Sequence, residues 1–171
     1  MEKYYTDKEI LEKLKKIEIV HDTREQSNNH IINFFDKHEI PHIARKLDVG
    51  DYSVQLDGNT FERRIAIERK HNLDEICSNL TLDRDRFERE FLRAKAYDTK
   101  VYLIIENASW NDVCLQNYRS KITTKSLKAS LLSWQARFNI TLLFCNQDET
   151  AELIYYILYY HVREHLLGKL R

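Results

Sequence analysis

The chain has 171 residues, 43% of them hydrophobic, and its 27 Lys and Arg balance 27 Asp and Glu to a formal net charge of zero. That length suits one domain that buries roughly two thirds of its unfolded surface, with no need of disulfides or a structural metal. Zero net charge excludes a global field that would draw the chain to nucleic acid or to an acidic membrane, so any polyanion contact must come from a local patch.

Met1 to Ile10 has no basic head followed by an apolar run, so it is not a secretory signal. Thr6 can cap a short charged helix over 6–16 with Ile10, Leu11 and Leu14 on one side. Ile17 to Val20 reads as a strand ending at His21-Asp22-Thr23-Arg24-Glu25, and His21 there reads as a tolerated buried or edge histidine. Ser27 or Asn28 opens a helix with Ile31, Ile32, Phe34 and Phe35 on its buried side, which must stop before Pro41. His42 to Leu47 and Tyr52 to Leu56 read as strands on either side of Val49-Gly50-Asp51, and Asp57-Gly58 is a hairpin signal leading to a third strand through Glu68.

From Asn72 the period turns helical, with Leu73, Ile76, Cys77 and Leu80 on one face. A second helix from about Arg84 to Tyr97 buries Phe87, Phe91 and Ala94. Val101 to Ile105 is a nearly continuous apolar run, suited to a central strand covered on both sides. The polar segment 107–124 shows no clear period. Ser126 to Phe138 reads as a helix, Ile140 to Phe144 as a buried strand, and Asp148 to about Leu167 as a long last helix. Strands alternating with helices predict a single α/β domain over 1–171, with a mixed sheet of about five or six strands flanked by helices and fraying at both ends. Leu153 to Tyr160, the longest strongly apolar stretch, falls far short of the roughly 20 residues that span a bilayer. Cys77, Cys114 and Cys145 are odd in number, widely spaced and without a C-x-x-C pair, and read as small buried residues of a reducing compartment. These features predict a cytoplasmic, nucleoid or nuclear protein that is neither secreted nor in a membrane.

Chemistry concentrates in residues 50–74. Asp51 opens one predicted strand, and Glu68 and Lys70 leave the same face of the next, while Arg69 leaves the other. Two carboxylates and one ammonium would then converge at one end of the sheet. Asp51 and Glu68 offer hard oxygen ligands for Mg²⁺ or Mn²⁺, which lowers the pKa of bound water and polarises a phosphate oxygen. Lys70 can orient that water or neutralise charge growing on the phosphorane. No clustered His or Cys stands at zinc spacing. Metal-dependent phosphodiester cleavage is the expected chemistry.

Gly50-Asp51 followed by Glu68-Arg69-Lys70-His71-Asn72-Leu73-Asp74 resembles the signature of the XPF family of structure-specific endonucleases. Ile19 to Glu25 is similar to that family's first block, an apolar strand followed by D-x-R-E, and Arg86-Phe87 to its arginine-aromatic pair. The resemblance covers about residues 17–160. It implies a restriction-endonuclease-like core and Mg²⁺- or Mn²⁺-dependent DNA cleavage of the kind used in repair or recombination. Carried over by position, Asp22, Asp51 and Glu68 would bind metal, with the Arg69 carbonyl as a further ligand, and Lys70 would act on the water or transition state. Arg24, Glu25, Arg69 and Asp74 would support the site or contact phosphate, and Arg86 would meet the DNA backbone.

Family members that choose flaps or forks commonly carry a helix-hairpin-helix module, for which no room remains before Arg171, so a separate targeting partner is expected. The alternating charges of Asp83 through Arg93 read as a solvated helix face apart from Arg86, whereas Lys121, Lys125 and Lys128 form a candidate phosphate patch. The tyrosine-rich side of the last helix, Tyr155, Tyr156, Tyr159 and Tyr160, predicts a homodimer through late helices. The leading expectation is an endonuclease of branched or flap- and fork-type DNA. A non-catalytic DNA-binding or scaffold subunit, and a duplex endonuclease of restriction or homing type, are the alternatives.

Overall fold

The structure is a computed structural model that describes residues 5–170. The absence of a secretory signal and the fraying of both ends fall in part on residues 1–4 and 171, outside the described residues.

Six lanes of strand form one mixed sheet in the order β2 (His42–Ala44), β1 (Ile17–His21), β3 (Tyr52–Leu56), β5 (Ile65–Lys70), β6 (Lys100–Glu106) and β7 (Ile140–Cys145). A two-residue β4 (Asn59–Thr60) pairs with β3, which brings the strands to seven. β1 and β2 are parallel, β3 is antiparallel to both β1 and β5, and β5, β6 and β7 are mutually parallel. The Asp57-Gly58 turn forms as its residues dictate, with both at positive φ, the conformation a two-residue hairpin loop requires. After β4 the chain is interrupted by residues 61–64 before it rejoins β3 as β5, where Tyr52 faces Ile67.

Helices cover both faces. α1 (Asp7–Leu14), α2 (Asn29–Lys37) and α7 (Thr150–Leu166) bury Ile10, Leu14, Ile31, Phe35, Ile154 and Leu158 against Ile17, Ile19, Ile65 and Ile67. α3 (Leu73–Thr81), α4 (Arg84–Ala96) and α6 (Thr124–Arg137) bury Ile76, Phe87, Phe91 and Trp134 against Ala66, Val101, Leu103 and Ile105. Period-2 alternation along β5 therefore sends Ala66, Glu68 and Lys70 toward α3 and α4, and Ile65, Ile67 and Arg69 toward α2 and α7.

Two expectations need correction, and one segment without a clear period acquires a helix. The predicted strand over 42–47 ends at Ala44, because the Leu47 N–H turns inward to donate to the Asp22 carboxylate at 2.6 Å. The segment 107–124 contains α5 (Trp110–Leu115), capped by Ser109, whose side chain accepts from the Asp112 N–H. Of the cysteines, Cys77 is buried and Cys145 half-buried, but Cys114 is exposed. His21 is half-buried beside edge strand β2, its ring 5.6 Å from that of His42. None of the helices among the described residues is long and apolar enough to cross a membrane.

Candidate active site

The acids meet because three strand ends meet. The Asp22 N–H, just past β1, donates to the Asp51 carbonyl at 2.7 Å, and the Asp51 N–H, just before β3, donates to the Ile67 carbonyl at 2.7 Å. The Asp51 Oδ2 then accepts the Arg69 N–H at 2.8 Å, so this carboxylate is locked beside Glu68 by the main chain of β5. Gly50 makes the approach possible. It has φ of 72°, and a Cβ there would lie 2.8 Å from the Ile67 carbonyl oxygen.

A cleft of about 180 Å³ opens at this end of the sheet and is lined by Asp22, Arg24, Asp51, Glu68, Lys70 and Arg86. Asp48, Asn79, Phe87 and Glu90 complete its wall. Lys70 is 8% exposed; its Nζ sits 2.8 Å from the Glu68 Oε1, 3.6 Å from the Glu75 Oε1 and 4.8 Å from the centre of the Phe87 ring. Burial works against the ammonium, but Glu68, Asp51 and Glu75 outweigh it and hold Lys70 above the usual lysine range. Burial, then the Glu68 and Glu25 charges, push the Asp51 carboxyl well above the usual carboxylate range. Glu90 is raised by burial and by Glu68. The cleft thus holds more negative charge than Lys70 neutralises. Among the described residues no group of three His, Cys, Asp or Glu side chains is already drawn together tightly enough to hold a metal.

Asp22 is buried and fully engaged. Its Oδ1 accepts the Arg24 N–H at 2.7 Å and Nε–H at 2.8 Å, and its Oδ2 accepts Arg24 Nη2 at 2.8 Å and the Leu47 N–H. Burial opposes the charge, yet these bonds prevail and lower the Asp22 pKa. The Arg24 guanidinium, 61% exposed in its side chain, is thereby held at the cleft.

Arg69 lies on the opposite face, as its place in β5 requires. Its Nε donates to the Glu25 Oε1 at 2.6 Å, its Nη1 to the Glu106 Oε2 at 2.8 Å and its Nη2 to the Gln26 carbonyl at 3.0 Å. Glu106 also meets His30 Nε2 at 2.8 Å and His71 Nδ1 at 3.4 Å. This buried set braces the strand from behind the cleft. Asp74 also stands apart, accepting the Arg119 N–H and Nε–H at 2.7 Å each. Lys121 and Lys125 are exposed and do not line the cleft.

Sequence reasoning missed Glu90, Asn79, Asp48, Glu106 and His30. Glu90 carried a usable signal, since it stands four residues after Arg86 on one face of α4. Glu106 and His30 come from distant elements, and only the packing of α2 against the sheet joins them.

Residues 21–157 match the ERCC4 domain family. No curated protein matches the chain. Among solved structures, XPF from Aeropyrum pernix is similar with a TM-score of 0.63 and 23% identity, covering 90% of this chain and 64% of that one. XPF from Aeropyrum pernix in complex with DNA is similar with a TM-score of 0.63 and 19% identity, covering 85% and 65%. The chain spans just under two thirds of the length of these relatives, and at such identities the likeness is one of fold. The matched segment takes up most of the chain and includes every residue that lines the cleft, so the chain belongs to the ERCC4 domain family.

Proposed function

We propose that this chain is a Mg²⁺- or Mn²⁺-dependent endodeoxyribonuclease that hydrolyses phosphodiester bonds in branched, flap- or fork-type DNA. The observation that carries the reading is the convergence of Asp51, Glu68 and Lys70 in one cleft at the end of β5.

The donor set fits a hard divalent cation. Two carboxylates face one ammonium, and the Asp51 Oδ1 and Glu68 Oε2 accept no hydrogen bond among the described residues. Asp51 and Glu68 would hold the ion with waters and the Arg69 carbonyl, and Asp22 would join them by exchanging its bonds to Arg24. The ion, when bound, supplies Lewis-acid polarisation of a phosphate oxygen and a more acidic water. The residues themselves do the rest. Lys70, kept protonated by its acidic neighbours, donates hydrogen bonds to charge that develops on the phosphate rather than removing a proton. Arg24 and Arg86, exposed at the cleft mouth, neutralise the flanking phosphates, and Arg69 with Glu25 and Glu106 keeps β5 in place. Asp74 supports the site by anchoring Arg119, next to the exposed Lys121 and Lys125 patch.

A homodimer through α7 is part of the same proposal. Tyr156 and Tyr160 are 46% and 54% exposed and, with Tyr159, form a contiguous aromatic surface.

The test is cleavage of labelled flap, fork, four-way junction, single-stranded and duplex DNA in Mg²⁺, Mn²⁺ or EDTA by the wild type, Asp51→Asn and Lys70→Ala. Cutting of branched substrates with metal, and a loss of at least about 10²-fold in both variants, is the expected result. A wild type inert under every metal condition would sink the enzyme reading in favour of a binding subunit.

A further inference from the structure

A second concave surface lies at the far end of the same sheet. Its cavity, about 640 Å³, is lined by Arg63, Arg64, Lys100, Tyr97 and Tyr102, where the parallel strands β5 and β6 begin. Among the described residues none of these three cations has a carboxylate partner. Arg63 lies over the Tyr97 ring at 4.4 Å, the Arg64 Nη1 meets the His165 Nδ1 at 3.2 Å, and Lys100 lies over the Tyr102 ring at 5.3 Å. The one acid that lines the cavity, Asp98, is exposed.

Burial lowers three neighbouring groups, and for the two histidines nearby positive charge adds to it. Burial pushes Lys100 below the usual lysine range, with no acid to restore it. Burial, then His165 and Arg64, bring His161 down to about 4, and burial and Arg64 lower His165. An anion seated among Arg63, Arg64 and Lys100 supplies the missing counter-charge.

α4 connects this surface to the cleft. Arg86, Phe87 and Glu90 of its first turns line the cleft, and its C-cap Tyr97 lines the far cavity. Arg86, Arg93 and Tyr97 recur at seven and four residues, within one narrow stripe of the helix. Both arginines are exposed, and among the described residues each is held only by an acid on its own helix or cap, Asp83 at 3.4 Å and Glu90 at 3.8 Å. From Arg86 to Tyr97 the stripe runs about 16 Å, or about five base-pair steps of a duplex.

We propose that the Arg63, Arg64 and Lys100 cavity binds the phosphate backbone of a DNA arm that leaves the cleft along α4, with Arg93 on its path. This rests on the reading of the cleft as a DNA-cleaving site and extends it to a second contact, distant from the cut. A backbone track suits the chemistry better than an acidic peptide, because the cations are spread along a line and the ring faces nearest the cavity are already occupied by Arg63 and Lys100.

The experiment measures binding of a labelled fork to the full chain in EDTA, across about 50 to 200 mM salt, for the wild type and for Arg63→Gln/Arg64→Gln/Lys100→Gln. Each lost phosphate contact should flatten the plot of log affinity against log salt by about 0.9, so the triple variant should lose between about 2 and 3 from the slope. Its affinity at low salt should fall at least about tenfold. The single variant Arg63→Gln, at an exposed residue whose guanidinium meets only the Tyr97 ring among the described residues, should lose about 1 from the slope, and Arg63→Lys/Arg64→Lys should keep it. If the wild type binds the fork and the variants bind with the same slope and affinity, the far cavity is not a DNA surface and the cleft reading stands. If the wild type binds no DNA, both readings fall together.

Discussion

Gly50 shows how one residue sets the site. Its φ of 72° is a conformation that side chains rarely adopt, and it leaves no room for a Cβ against the Ile67 carbonyl. Only a glycine lets β3 begin so close to β5, and that closeness is what allows the Asp51 carboxylate to cap the Arg69 N–H. Gly50→Ala is expected to destabilise the fold by at least about 1–3 kcal/mol from backbone strain, to which the clash of the new Cβ with the Ile67 carbonyl adds, and to displace Asp51. Chemical denaturation measures the first effect and loss of cleavage the second. A variant as stable and active as the wild type would mean that the turn accommodates a side chain after all. Arg69 shows the complementary case, in which a residue inside the signature faces away from the cleft because β5 alternates, and its work is to tie Glu25 and Glu106 together.

At the scale of elements, the docking of α4 on α6 depends on Glu88. Its carboxylate accepts the indole N–H of the fully buried Trp134 at 3.0 Å and pairs with Arg137 at 3.3 Å and Arg84 at 3.2 Å. The Trp134 hydrogen bond leads in lowering the Glu88 pKa, against some burial. A carboxyl lowered on folding stabilises the protein above its unfolded pKa, near 4.3, and that contribution disappears as pH falls through the folded value. Glu88→Ala should therefore cost about 1–3 kcal/mol at neutral pH by leaving the Trp134 N–H unpaired. The gap should narrow below about pH 4, as the charge-dependent share is lost. Urea denaturation at several pH values checks both. The elements themselves were legible where pattern was strong. The six expected strands and six expected helices all form, because β-branched runs, the Asp57-Gly58 turn and the caps at Thr6 and Asn72 act locally. What escaped was set by tertiary contact. α5 is six residues long, too short for a period to show, and the strand predicted to Leu47 is cut short by the distant Asp22. Within the site, Asp51, Glu68 and Lys70 were legible from strand alternation, but Glu90 and Glu106 needed α4 and β6 to be placed.

For the whole molecule, charge balance conceals separation. The acids of the cleft and the cations of the far cavity lie at opposite ends of the sheet, although the sum of charges is zero, and the tyrosines of α7 adjoin the far cavity through Tyr102, His161 and Leu170. The tyrosine surface predicts self-association. Tyr156→Glu/Tyr160→Glu should shift the chain from dimer to monomer in sedimentation without lowering thermal stability, because both rings are largely outside the core. A wild type that is monomeric at every concentration would remove the dimer. In the proposed function the carboxylates beside Lys70 cut DNA with a divalent ion. Single-turnover cleavage of a labelled fork in Mn²⁺ by the wild type and Glu68→Gln, purified in parallel, tests it most directly, with fork affinity measured alongside. Glu68→Gln is expected to bind the fork as well as the wild type and to cut it at least about 10²-fold more slowly. Equal cleavage rates in the two proteins would contradict the proposed function.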